Sequence, residues 1–91
     1  MISLGSKGAL LVSSEGVFSA RPPKIEALST IGAGDSSIAG FLAAKAEGCS
    51  AKDCLCRAVA YGTAACLSAG TKPPRREDVT ELMDKIVLEK M

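Results

Sequence analysis

The sequence predicts an α/β fold in which short strands come first, a strand–glycine turn–helix unit follows, and two more helices complete the chain. Three observations carry this reading. Apolar runs at residues 1–4, 9–12 and 17–20 are separated by Gly5-Ser6-Lys7-Gly8 and Ser13-Ser14-Glu15-Gly16, the pattern of short strands joined by tight turns. Gly32-Ala33-Gly34-Asp35 stands directly before the apolar run at residues 38–44. Further on, Leu55, Ala58, Val59, Gly62, Ala65, Cys66 and Ala69 recur at helical spacing on one face.

The elements follow in order. Pro22-Pro23 breaks the chain after the third run. Residues 24–29 alternate charged and apolar side chains at Lys24, Ile25, Glu26 and Ala27, a strand entering the glycine turn. The first helix is expected over residues 33–47. It is apolar almost all round, so the expectation is a buried helix, and Gly48 stops it. Ser50-Ala51-Lys52-Asp53 suits the capped start of a second helix, and Gly70 followed by Pro73-Pro74 ends it. A last helix is expected over residues 76–89, with Glu77 and Asp78 in its first turn and Val79, Leu82, Met83 and Ile86 as its buried stripe. Arg75-Arg76 reads as a solvated basic pair.

Composition bounds the function. Ninety-one residues make at most one domain, and a net charge of +1 gives no charge-driven surface for nucleic acid or membrane. Hydrophobic residues are 47% but aromatics only 3%, so the core must be built from Ala, Leu, Ile, Val and Cys. The first residues have neither a basic nor a long apolar segment of a secretion signal, and residues 25–44 carry Glu26, Asp35 and internal glycines that disqualify a membrane span. With no histidine and no Cys-x-x-Cys, the four cysteines read as reduced, small apolar residues in a cytoplasmic protein.

The glycine corner is where chemistry is expected. Gly32 and Gly34 let the backbone turn sharply and bring N–H groups against a ligand. The helix behind them adds its positive dipole end, a setting that attracts phosphate. Asp35 has two readings here: a helix N-cap, or a general base beside a transferring phosphoryl group. The corner is no Walker A loop, since no Gly-Lys-Ser/Thr occurs, and no full dinucleotide fingerprint, since Ser37 stands where a third Gly or Ala belongs.

The whole stretch is more specific than its glycines. The polar pair Ser29-Thr30, then Gly32-Ala33-Gly34-Asp35, then Ala39-Gly40-Phe41-Leu42 resembles the second signature of the ribokinase-like, phosphofructokinase-B family of sugar kinases. Ser3-Leu4-Gly5-Ser6-Lys7-Gly8-Ala9 is similar to that family's nucleotide-side strand and turn. Tyr61-Gly62-Thr63-Ala64-Ala65 and Leu67-Ser68-Ala69-Gly70-Thr71 are similar to its late helix and following turn. The likeness is to the phosphofructokinase branch, which includes fructose-1-phosphate, fructose-6-phosphate and tagatose-6-phosphate kinases.

The resemblance implies the C-terminal part of a three-layer α/β/α fold and transfer of the ATP γ-phosphoryl group to a sugar phosphate hydroxyl. It implies Asp35 as the base and the N–H groups of Gly32, Ala33 and Gly34 as an anion hole. Ser3, Gly5 and Gly8 match positions bordering the nucleotide. Val59, Gly62 and Thr63 either lie against the nucleotide base or pack closely on the first helix. A monovalent cation such as K+ would be held by the carbonyls of Ser29 and Ile31, with residues 65–72 nearby. The family's sugar pocket, lid and Mg2+-associated acids precede anything present here. The expectation is therefore a catalytic and nucleotide-binding segment, inactive by itself, that self-associates or belongs to a homodimeric parent. Its ligands would be nucleotide and sugar phosphate. A non-catalytic nucleotide- or phosphate-binding module is the alternative.

Overall fold

A computed structural model describes residues 1–3, 7–24, 33–67 and 76–90. Strands β1 (Ile2–Ser3), β2 (Ala9–Ser13) and β3 (Gly16–Arg21) come first, then helices α1 (Ala33–Ala46), α2 (Ala51–Cys66) and α3 (Arg76–Met83), then strand β4 (Val87–Lys90). The sheet runs β1-β2-β3-β4, every neighbouring pair antiparallel.

The β2–β3 hairpin follows from its turn residues. Ser13 faces Gly16, leaving Ser14 and Glu15 as the turn. The Ser13 hydroxyl donates to the Gly16 carbonyl at 3.2 Å and accepts from the Glu15 N–H at 3.2 Å, so it closes the turn from both sides. Gly16 has φ +131°, a value that side chains rarely adopt. Period-two alternation then puts Ala9, Leu11, Phe18 and Ala20 on the inner face, while Val12 points out at 68% exposure.

Helix α2 is the centre of the molecule. The Ser50 hydroxyl caps it, accepting from the Asp53 N–H at 3.4 Å. One face sets Leu55 and Val59 against the four inner residues of the sheet, with Phe41, Ile86 and Leu88 around them. Another sets Ala60 and Ala64 against Val79 and Leu82 of α3. Leu55 is fully buried. The helix is described as far as Cys66, and Gly70, the expected stop, lies outside the described residues. All four cysteines are free.

Helix α1 ends as expected. Gly48 takes φ +82°, its N–H donates to the Lys45 carbonyl at 3.0 Å, and the Cys49 N–H donates to the Ala44 carbonyl at 3.1 Å, the paired bonds of a glycine C-cap.

Two expectations are corrected. Helix α1 is not buried: Gly40 and Ala44 are its buried residues, while Ile38 and Leu42 are 54% and 57% exposed. An all-round apolar helix needs a neighbour on each side, and in this chain α2 covers one side. The last helix is not continuous to residue 89. It stops at Met83, tightens through a Lys85 N–H to Leu82 carbonyl bond of 2.9 Å, and gives way to β4, which pairs Arg21 with Val87 and Phe18 with Lys90. The ladder to β3 satisfies the backbone groups of β4 that face it. The strand expected over residues 24–29 lies, beyond Lys24, outside the described residues. Among the described residues no helix is long and apolar enough to cross a membrane.

Candidate functional site

The site is built at the N-terminal end of α1. Ala33, Gly34 and Asp35 form its first three residues. Backbone N–H groups in a first helical turn have no carbonyl four residues back to bond to, and they sit at the positive end of the dipole. Both Gly34 and Asp35 are exposed. A Cβ added at Gly34 would meet nothing within 4 Å. Among the described residues, nothing would crowd a side chain at Gly34. Asp35 is the third helical residue, three positions past the N-cap position, and it is exposed. Gly32, Ser29 and Ile31 lie outside the described residues, as does Gly5.

What holds α1 at this height is its contact with α2. The Ser37 hydroxyl donates to the Ala58 carbonyl at 3.0 Å. Opposite it, a Cβ on Gly62 would run into Ser37 Oγ and approach the Ala33 carbonyl oxygen to 3.4 Å. One turn further on, a Cβ on Gly40 would come within 2.7 Å of the Tyr61 ring. Each helix thus contributes one glycine to the crossing. The composition gives no sign of Ser37 in this role. The cue would have been a hydroxyl residue early in an apolar helix, with a small-residue face on the next helix.

This contact yields a test. Gly62→Ala alone should destabilise by about 1–3 kcal/mol, the usual effect of overpacking. Ser37→Ala alone should lose about 1 kcal/mol with its hydrogen bond. The pair together should lose less than the sum, because with Oγ gone the new methyl meets Ser37 Cβ at an ordinary 3.5 Å. Strict additivity in denaturant melts would contradict the contact.

The remaining expected site residues are placed as follows. Ser3 belongs to β1 and pairs with Ala9. Gly8 is buried with φ +96°, its open face filled by the Ala20 carbonyl of β3. Val59 is 5% exposed and sits in the core under the sheet, and Thr63 is 8% exposed. Among the described residues, Val59 packs under the sheet and Gly62 faces Ser37 of α1. Among the described residues no group of three or more His, Cys, Asp or Glu could hold a metal ion.

With this geometry in view, likeness to known proteins is informative. Residues 1–78 match the pattern of the pfkB family carbohydrate kinases. The chain is 43% identical over 79 residues to the 1-phosphofructokinase of Haloferax volcanii, covering 87% of this chain and 26% of that protein. It is 37% identical over 82 residues to the ATP-dependent 6-phosphofructokinase isozyme 2 of Escherichia coli, covering 90% and 26%. The crystal structure of phosphofructokinase-2 from E. coli with substrates and products superposes with a TM-score of 0.85 at 36% identity, over 90% of this chain and 26% of that one. The potassium complex of the same enzyme gives 0.86, with the same identity and coverage. The chain spans about a quarter of the length of the curated relatives it matches.

Proposed function

Because the chain belongs to the pfkB family of carbohydrate kinases, we propose that the whole protein transfers the terminal phosphoryl group of ATP to a hydroxyl of a sugar phosphate. Fructose 1-phosphate, fructose 6-phosphate and tagatose 6-phosphate are the acceptors to test first. The observation that supports this reading is that Gly34 and Asp35 are both exposed and stand in the first turn of α1. Asp35 takes the proton from the attacking hydroxyl. The N–H groups of Gly32, Ala33 and Gly34 hold the negative oxygens of the group in transit. Ser3, Gly5 and Gly8 border the nucleotide through backbone. Val59, Gly62 and Thr63 either lie against the nucleotide base or act by packing, Gly62 against Ser37 of α1 and Val59 under the sheet.

ATP supplies the group transferred, and Mg2+ neutralises its phosphate charge. The described residues offer Mg2+ no acid cluster, so its ligands are proposed to lie beyond them. K+ would be held by the carbonyls of Ser29 and Ile31, a proposal motivated by the potassium complex of the E. coli relative.

The direct test is a coupled assay of the complete reading frame against the three sugar phosphates. ADP release with one of them is expected. ATP binding in calorimetry with no turnover on any would replace the kinase by a non-catalytic nucleotide-binding module. The 91-residue chain by itself should show no such turnover, since it spans only about a quarter of the length of its relatives. It should also self-associate through the exposed Ile38 and Leu42 of α1. Sugar-dependent ADP release, or a monodisperse monomer by light scattering, would contradict these two expectations in turn.

A further inference from the structure

Where α1 hands over to α2, two cysteines line one cavity and a guanidinium lies beside one of them. Cys49 directly precedes the Ser50 cap, and Cys54 is the fourth residue of the helix. These are the positions whose side chains pack on one another across a helix start, where two apolar residues usually stand. Here both are cysteines. Cys54 Sγ lies 3.7 Å from the Cys49 carbonyl oxygen, so its side chain reaches back toward residue 49. Arg57 Nη2 lies 3.9 Å from Cys49 Sγ, and the same guanidinium is paired with Glu47. Both cysteines line one cavity of about 320 Å³, which Leu11, Phe41 and Lys45 also border.

We infer that Cys49 and Cys54 are a peroxide-responsive thiol pair that closes into a local disulfide across the entry to α2. The sulfurs differ in role. Cys54 is 3% exposed, and burial pushes its thiol up, followed by the neighbouring Cys49, while Arg57 and Lys45 oppose. Cys49 is half-buried, opens to the cavity, and has the Arg57 cation beside the sulfur that must carry negative charge as it attacks. Cys49 therefore reacts first. Its thiolate attacks one oxygen of a hydroperoxide; the S–O bond forms, the O–O bond breaks, and hydroxide leaves to become water. Cys54 Sγ then loses its proton and attacks the Cys49 sulfenic sulfur. The S–S bond forms, the S–O bond breaks, and a second water leaves. Two thiols and one hydrogen peroxide give one disulfide and two waters. Cys56 is two residues further along the helix, and Cys66 is its last residue; neither takes part.

The test is peptide mapping of the native protein after brief hydrogen peroxide treatment and alkylation. Tryptic cleavage at Lys45, Lys52 and Arg57 separates residues 46–52, which hold Cys49, from residues 53–57, which hold Cys54 and Cys56. The two peptides should appear joined, lighter by two hydrogens than their sum. Cys56→Ser should keep the link. Cys54→Ser should lose it and leave Cys49 as a sulfenic acid that dimedone captures. Peptides that stay separate in treated native protein overturn the pair, whatever the state of Cys49. A link that survives Cys54→Ser overturns the choice of partner.

Discussion

On the proposed kinase reading, Asp35→Asn in the complete protein is expected to lower turnover by about two to four orders of magnitude, the usual contribution of a positioned general base. The substitution isolates the proton-accepting role. Asn has the same shape and is itself a good residue at a helix start. It removes one negative charge from the first turn, which alters helix stability by about 0.3–1 kcal/mol. Asp35 is exposed and makes none of the core contacts, so the melting curve should barely move while turnover collapses. On the proposed reading the acceptor is held by other parts of the protein, so KM for the sugar phosphate should change far less than kcat. Near-normal turnover would return Asp35 to a purely electrostatic role at the helix end. It would also leave the phosphate corner without a base.

Gly8→Ala is expected to have the largest effect on stability. Gly8 is held at φ +96°, in the half of backbone space where a side chain is strained by about 1–2 kcal/mol. Its missing Cβ points straight into the Ala20 carbonyl oxygen, and would lie 2.9 Å from that carbonyl carbon and 3.0 Å from Arg21 Cα. These are backbone atoms of β3, which β2 and β4 hold from both sides, so nothing can rotate out of the way. Adding overpacking of about 1–3 kcal/mol gives a loss of roughly 2–5 kcal/mol. A shift of the denaturation midpoint with unchanged slope would record it. A variant as stable as the parent would mean that the turn before β2 can relax freely.

Local punctuation made much of this fold legible in the sequence. Ser13 to Gly16 encodes a hairpin turn, Gly48 a helix stop, and Ser50 with Asp53 a helix start, because each rule acts within a few residues. The alternation in β2 and β3 is legible for the same reason: it reports a single buried face. What failed depended on distant partners. Val79, Leu82 and Ile86 keep helical spacing past Met83, so periodicity alone extends the helix. Yet Val87 to Lys90 leave it for the free edge of β3, more than sixty positions back along the chain. Likewise Ile38 and Leu42 announce burial without saying against what. The candidate site divides the same way. The glycine–acid corner is visible in its own letters. The use of Gly62 is not, since only the crossing of two helices reveals that Ser37 occupies its open face.

The pairing of β3 with β4 bears on how this chain is made. The three described helices are encoded between those strands, so on the ribosome the edge of residues 16–21 emerges long before its partner. At about 5–20 residues per second it waits several seconds with its amides and carbonyls unsheltered. During that interval the nascent hairpin can recruit a strand from a neighbouring polypeptide as readily as its own. Slow codons just ahead of β4 would lengthen that risk, and a holding chaperone would shorten it.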